Sequence, residues 1–374
     1  MSRLPDGVAR EAVIDVGAIE RNVRHLRALV GTEVIAVVKA DGYGHGAERS
    51  ARAALAGGAD GLAVADIGEA LALRDAGIDA PLLAWLHAPN TSFAQAAAAR
   101  IDLGISSFEQ LQAAAAAASV DRPVRVHLKV ETGLGRNGIA PAEYGRVFAE
   151  AASLERTGLL QVIGMFSHLS NTSPEDDRAS LSRFGVAQAG AEAAGLRPRL
   201  RHIAASHAAI DLPAARFNCV RLGISIYGLS PFSDRSSADL GLRPAMTLRG
   251  AVAAVRRVPA GHGVSYGYLH RTASESTLAL IALGYADGVP RAASGAGPVT
   301  IGGRQYRVAG RIAMDQFVVD VGNAPVEVGD EAVLFGDPTA GAPSATDWAD
   351  AADTINYEIV TRIGQRVPRR EVRS

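Results

Sequence analysis

The 374-residue chain has one cysteine, Cys219. A single thiol can close no internal disulfide and build no cysteine-ligated zinc site, so the sequence carries no mark of an oxidising compartment. Charge of one sign is equally lacking: 38 Lys and Arg stand against 39 Asp and Glu, a formal net charge of −1. That balance gives no reason to expect nucleic acid or an anionic membrane as partner. Nowhere do ~18 apolar residues follow one another, and the opening MSRLPDGVAREAVIDVGAIERN interrupts its apolar residues with charge every few positions. No internal repeat is present. With 48% hydrophobic and 21% charged residues the chain is too apolar for extended disorder. The expectation is a soluble cytoplasmic protein, long enough at ~100–200 residues per domain for two domains.

What is present is an alternation. Short Val/Ile/Leu runs at 33–39, 61–64, 81–83, 102–105, 124–130, 162–166, 201–204 and 220–224 are separated by Ala-rich stretches of helical length such as 48–56, 108–118 and 180–194. Parallel strands with crossover helices need that rhythm. Helix 18–30 carries Ile19, Val23, Leu26 and Val30 at spacings of four, three and four, one apolar stripe. Eight βα units in ~220 residues fit a (β/α)8 TIM-type barrel better than an open doubly wound sheet. The alanine runs 96–99 and 113–118 read as solvent-side helix filler. Residues 230–244, SPFSDRSSADLGLRP, break the pattern and read as a linker. Beyond it, β-type runs at 245–257, 278–283, 299–301, 305–308, 317–321 and 331–335 predict a C-terminal mainly-β domain, closed by a helix at 349–361. The expected division is 12–235 for the barrel and 245–374 for the β domain, with the N-terminal segment 1–16 associating with the latter.

The chemistry concentrates at strand ends. In Ile35-Ala36-Val37-Val38-Lys39-Ala40-Asp41-Gly42-Tyr43-Gly44-His45-Gly46 an apolar strand delivers a lysine just before a glycine-rich turn. An isolated lysine at a strand end is ordinarily solvated. Four apolar residues before this one and the turn after it favour a desolvated, nucleophilic amine in the barrel mouth. A second block, Val126-His127-Leu128-Lys129-Val130-Glu131-Thr132-Gly133-Leu134-Gly135-Arg136-Asn137-Gly138, again ends a strand in a glycine loop and presents Lys129 and Arg136. By itself it reads equally well as an ordinary basic loop.

VVKADGYGHG closely resembles the pyridoxal-phosphate lysine motif of bacterial alanine racemases, and the resemblance extends over nearly the whole chain. It implies that Lys39 forms the Schiff base with pyridoxal 5'-phosphate, that Tyr43 lies near the phosphate, and that Arg136 holds the substrate carboxylate. Lys129 matches a lysine often carbamylated in the family. Phe166-Ser167-His168-Leu169, Ala204-Ala205-Ser206-His207 and Cys219-Val220-Arg221-Leu222-Gly223-Ile224 match further cofactor contacts. By that match Arg221 faces the pyridine nitrogen, His168 supports Arg221, and Ser206 with the amides of Gly223 and Ile224 cradles the phosphate. Arginine there leaves the ring nitrogen unprotonated, which makes the ring a weaker electron sink.

In the β domain, Gly263-Val264-Ser265-Tyr266-Gly267 resembles the segment carrying a catalytic tyrosine. Tyr285, Met314 and Asp315 fall in segments that match substrate contacts, and Tyr357 matches a tyrosine near the phosphate and the pocket entry. Read singly, such aromatics are more often β-domain core; their joint order and spacing reverse that. The resemblance therefore implies an alanine racemase working through an aldimine with two bases, Lys39 on the D-alanine side and Tyr266 on the L-alanine side. It also implies a homodimer with shared sites and D-alanine supply for peptidoglycan. Ala313 stands where cysteine is common, Ala205 and His207 flank Ser206 atypically, and Ser170-Asn171-Thr172 alters the loop after His168. Two other readings remain open: a serine or broad-spectrum racemase or, more distantly, a basic amino-acid decarboxylase on the same plan, and a non-catalytic pyridoxal-phosphate carrier, against which the β domain counts.

Overall fold

The structure, a computed structural model, describes residues 3–374; Met1 and Ser2 of the N-terminal segment lie outside it. Strand β1 (Arg10–Asp15) comes first in the chain. It is followed by β2 (Glu33–Val37), β3 (Gly61–Val64), β4 (Leu82–Ala84), β5 (Asp102–Ile105), β6 (Val124–Lys129), β7 (Leu160–Phe166), β8 (Leu200–His202) and β9 (Cys219–Leu222). These last eight are parallel neighbours in the order β8-β7-β6-β5-β4-β3-β2-β9. The ring closes where the Arg221 N–H donates to Ala204 O at 3.0 Å and the Arg201 N–H donates to Asn218 Oδ1 at 2.8 Å. The fold is a (β/α)8 barrel, as the alternation predicts.

The helices pack where the sequence pattern points. The helix Val16–Val30 buries Ile19, Val23, Leu26 and Val30. Its N-cap Asp15 accepts from the Ala18 N–H at 3.1 Å, and Gly31 ends it in the left-handed region at φ 68°. Ser107 and Ser173 cap the helices Phe108–Ala116 and Pro174–Ala193 in the same way. The alanine runs are not simply solvent filler: Ala96, Ala97 and Ala114 are buried against the sheet. A small side chain lets the helix backbone approach the strands, and that is where these residues are used.

The second domain contains β10 (Met246–Val258), β11 (Gly263–Val264), β12 (His270–Arg271), β13 (Ser276–Ile281), β14 (Pro298–Ile301), β15 (Arg304–Arg307), β16 (Phe317–Gly322), β17 (Glu331–Phe335) and β18 (Arg369–Val372). Strand β10 is long and shifts register between Val252 and Ala254. Its first half pairs with β1 and β17 and its second half with β13, so one strand serves two parts of the sheet. Strand β1 pairs antiparallel with β10 and parallel with β18, which stitches both chain ends into this domain. The helix expected at 349–361 is two pieces, Ala345–Ala351 and Asn356–Thr361. Asp353 at φ 54° breaks the continuity, a conformation no α-helix interior tolerates.

Buried Asn22 on the first helix ties the barrel to the linker that leads into the second domain. Its Nδ2 donates to Ile226 O at 3.1 Å and Arg243 O at 2.9 Å, and its Oδ1 accepts from the Arg243 N–H at 3.0 Å. Replacing it leaves three backbone groups without partners. Asn22→Ala should therefore lower the free energy of unfolding by about 2–4 kcal/mol, read from the urea midpoint. A loss well under about 1 kcal/mol would show that the linker is held by other contacts.

Candidate active site

Strand β2 ends at Val37, short of the sequence expectation, because the chain after Lys39 turns the wrong way for L-residues. Ala40, Asp41, Gly42, Tyr43 and Gly44 have φ of 52°, 53°, 61°, 52° and 80°, a left-handed turn. Each non-glycine residue there costs about 1–2 kcal/mol. Hydrogen bonds hold it: Glu69 accepts from the Ala40 N–H at 2.6 Å, Asp41 Oδ1 accepts from the Ala47 N–H at 2.8 Å, and His45 Nδ1 meets Gly42 O and Tyr43 O at 3.1 and 3.0 Å. Burial pushes His45 down to about 4, so it stays neutral. The turn throws the Tyr43 ring against Tyr227, 5.0 Å between centroids, and its hydroxyl against Gly223. A Cβ at residue 223 would lie 2.5 Å from Tyr43 Oη, so any larger residue there would displace the tyrosine hydroxyl.

Lys39 opens into a cleft of about 900 Å³ at the C-terminal ends of the barrel strands. The same cleft gathers Tyr43, Lys129, Arg136, His168, Ser206, Arg221, Gly223, Ile224 and Tyr357. The only carboxylate lining it among the described residues is Glu358, whose Oε1 is 3.7 Å from Arg362. Burial, then the positive charge of Arg136, lowers the Lys39 amine below the usual lysine range. The same two causes bring Lys129 down to about 8. Arg136 is exposed to the cleft, with no carboxylate within 4.0 Å among the described residues.

Arg221, on β9, is buried in the barrel. Its Nη1 donates to His202 Nδ1 at 2.9 Å and His202 O at 2.7 Å; its Nη2 donates to Ser167 O at 2.6 Å, His168 Nδ1 at 3.1 Å and Ile203 O at 3.2 Å. These contacts use both amino groups, and among the described residues only the Nε–H finds no protein acceptor. Burial lowers Arg221 to about 10, leaving it charged at neutral pH. Burial, then Arg221, brings His168 to about 3, so its ring is neutral and can accept. Ser206 Oγ accepts from the Gly223 N–H at 3.1 Å, and burial pushes Tyr357 up to about 12, keeping its hydroxyl protonated.

The remaining sequence candidates lie elsewhere in the chain. Tyr266, Tyr285, Met314 and Asp315 belong to the β domain, do not line this cleft, and are exposed. Tyr266 stands at 71% exposure between Ser265 at φ 57° and Gly267 at φ 72°. Met314 is 53% exposed, and Asp315 accepts from Arg366 at 2.8 Å. Sequence reading missed His202, His127 and Asp102, buried polar residues on barrel strands behind Arg221. The available signal was their position inside apolar strand runs.

The cleft suits a phosphorylated aromatic cofactor that forms an imine. It offers a suppressed lysine amine, an unmatched Nε–H on a fixed guanidinium, and a glycine–serine cradle that a Cβ would fill.

Comparison with known proteins agrees. The profile described as "Alanine racemase, N-terminal domain" matches residues 14–231, and "Alanine racemase, C-terminal domain" matches residues 245–371. The curated alanine racemase of Thermobifida fusca is 52% identical over 364 residues, covering 96% of this chain and 97% of that protein. The one from Streptomyces coelicolor is 50% identical over 378 residues, covering 97% and 96%. The crystal structure of alanine racemase from D-cycloserine-producing Streptomyces lavendulae superposes with a TM-score of 0.95 at 47% identity, over 99% of this chain and 98% of that one. The chain thus belongs to the alanine racemase family of pyridoxal-phosphate-dependent isomerases.

Proposed function

We propose that the chain interconverts L-alanine and D-alanine with Lys39 and Tyr266 as two bases, in a homodimer whose sites are shared. The observation that carries the reading is Lys39 at the end of β2, its amine suppressed, in a cleft that lacks Tyr266 of the same chain. Pyridoxal phosphate, held by Lys39, supplies an electron sink that acidifies the substrate α-carbon. Racemisation must deliver a proton to either face of that carbon, so one base stands on each side. Lys39 Nζ, largely withdrawn from water and beside Arg136, can take a proton and return it. The Tyr266 hydroxyl serves the opposite face.

Arg221 Nε–H is the donor left for the pyridine nitrogen, with His168 and the carbonyls of Ser167, His202 and Ile203 fixing the guanidinium. Tyr43, Ser206, Gly223, Ile224 and Tyr357 surround the phosphate position, and the Arg136 fork takes the substrate carboxylate. Tyr266, Tyr268, Leu269, Tyr285 and Met314 are large apolar side chains exposed on the β domain, and exposed Leu86 and Ile355 line the cleft. A second copy that lays the former over the latter covers both and brings in Tyr266, Tyr285, Met314 and Asp315. Crowding by Tyr285, Met314 and Tyr357 restricts the substrate side chain to a methyl. D-alanine made this way supplies peptidoglycan, and the reading places the enzyme in the cytoplasm; no helix among the described residues is long and apolar enough to cross a membrane.

A neutral Lys129 amine beside Arg136 is the form that adds carbon dioxide, and a carbamate there would pair with the guanidinium. A carbonyl signal from enzyme equilibrated with ¹³C-bicarbonate should appear and vanish in Lys129→Ala; a spectrum identical in both would remove the modification.

Lys39→Ala should lose the visible absorption of the bound cofactor, because no imine can form. Retention of a borohydride-reducible band on another lysine would overturn the assignment.

Lys39→Ala and Tyr266→Phe homodimers should each be nearly inactive, each lacking one base. Mixed under conditions that exchange subunits, they should regain activity, since one site of the hybrid is intact. Exchange confirmed by mass with no recovered racemisation of alanine in heavy water would place both bases in one chain.

A further inference from the structure

Behind Arg221 the barrel interior is polar where packed apolar layers are expected. Arg221 Nη1 donates to His202 Nδ1 at 2.9 Å; His202 Nε2 lies 2.9 Å from His127 Nδ1; His127 Nε2 lies 3.4 Å from Asp102 Oδ2. Asp102 in turn receives a two-pronged bond from Arg125, Nε to Oδ1 at 2.6 Å and Nη2 to Oδ2 at 3.1 Å. Asp102, His127, His202 and Arg221 are each at most 4% exposed. The row runs from the start of β5 and β6, where Arg125 reaches solvent, to the mouth of the barrel.

The fold makes room for it. A Cβ on residue 164 of β7 would collide with the buried His127 ring at Nδ1, which favours glycine beside that ring. Strands β6 and β7 shift register between Val126 and His127. The Phe166 ring stacks on His202 at 5.0 Å with planes 7° apart.

The hydrogen-bond roles along the row follow from its ends. A guanidinium only donates, so His202 Nδ1 must accept and its proton sits on Nε2. His127 Nδ1 must then accept, and its proton sits on Nε2, facing a carboxylate that only accepts. A protonated His127 would present an N–H to His202 Nε2 and push the His202 proton onto Nδ1, against Arg221. One arrangement alone satisfies every member.

We propose that Asp102 and His127 are positioning residues for the racemase, acting at a distance by fixing the His202 tautomer and so the orientation of Arg221 toward the cofactor nitrogen. The role rests on the function proposed above, while the tautomers themselves do not. Burial works against charge on Asp102, yet bonds from His127 and Arg125 hold its carboxyl below the usual range, so it remains the acceptor that anchors the row. Such partners of a site residue commonly govern about tenfold or more in activity.

The test begins with cofactor-free protein labelled with ¹⁵N-histidine. Both His202 and His127 should show neutral rings protonated at Nε2. A proton on His202 Nδ1, or a doubly protonated His127, overturns the proposal with no variant needed. In Asp102→Asn the amide can donate to His127 Nε2, so the row should reverse or mix and the His202 Nδ1 signal should move. His127→Phe, similar in size, removes the connection and backs up the first variant if that one folds poorly. In either variant, loaded with pyridoxal phosphate, the cofactor absorbance should shift and kcat should fall about tenfold with KM for alanine changed less than about twofold. Folded variants with unchanged His202 signals, absorbance and kcat would reduce the row to core packing. Expected tautomers in a protein that does not racemise alanine would instead remove the proposed function and leave the tautomer assignment standing.

Discussion

Positive charge crowded into a low-dielectric cleft is the constraint on which the rest of this structure depends. Lys39, Lys129, Arg136 and Arg221 share one pocket whose lining carboxylate, Glu358, is beside Arg362. Like charges held close together with little water between them repel strongly. Burial first, and then this repulsion, shifts the two lysines and His168 toward their neutral forms, while Arg221 stays charged at neutral pH. A neutral lysine and fixed cations are what an imine-forming, doubly anionic ligand requires. Under the proposed function this charge arrangement would supply both the nucleophile and the anion site.

Holding that arrangement demands features that oppose stability. Three non-glycine residues after Lys39 adopt left-handed backbone, and the barrel core admits two imidazoles and a carboxylate in place of hydrocarbon. Each is compensated locally. The turn is tied by Glu69, Asp41 and His45, and the polar row has a partner for every group that faces it. Strain and buried polarity concentrate at functional sites because a stable surrounding frame over-determines them. Here the frame is the closed barrel and the Asn22 tie to the linker that leads into the second domain.

The sequence made the architecture legible because the signals were local. Apolar runs, crossover-length helices, the stripe on helix Val16–Val30 and the change of rhythm after residue 230 each occupy a few neighbouring positions. The lysine and glycine-loop motifs were legible for the same reason. Local pattern failed where backbone conformation departs from it. The break at Asp353 divides a helix that composition alone would continue, and the buried alanines 96, 97 and 114 depend on which helix face meets the sheet.

What the sequence by itself determined is the alternating barrel, the β domain and the identity of the chemical groups at the strand ends, because period, propensity and motif are properties of contiguous residues. Only the tertiary structure decided how those groups act on one another. His127 and His202 are 75 positions apart, and His202 reaches Arg221 only because β8 and β9 close the ring. Likewise, Tyr266 lies outside the cleft that holds Lys39, although nothing in their linear order says so. Hydrogen bonds and Coulomb interactions act over a few ångströms through space, and distance along the chain carries no record of which residues closure will bring within that range.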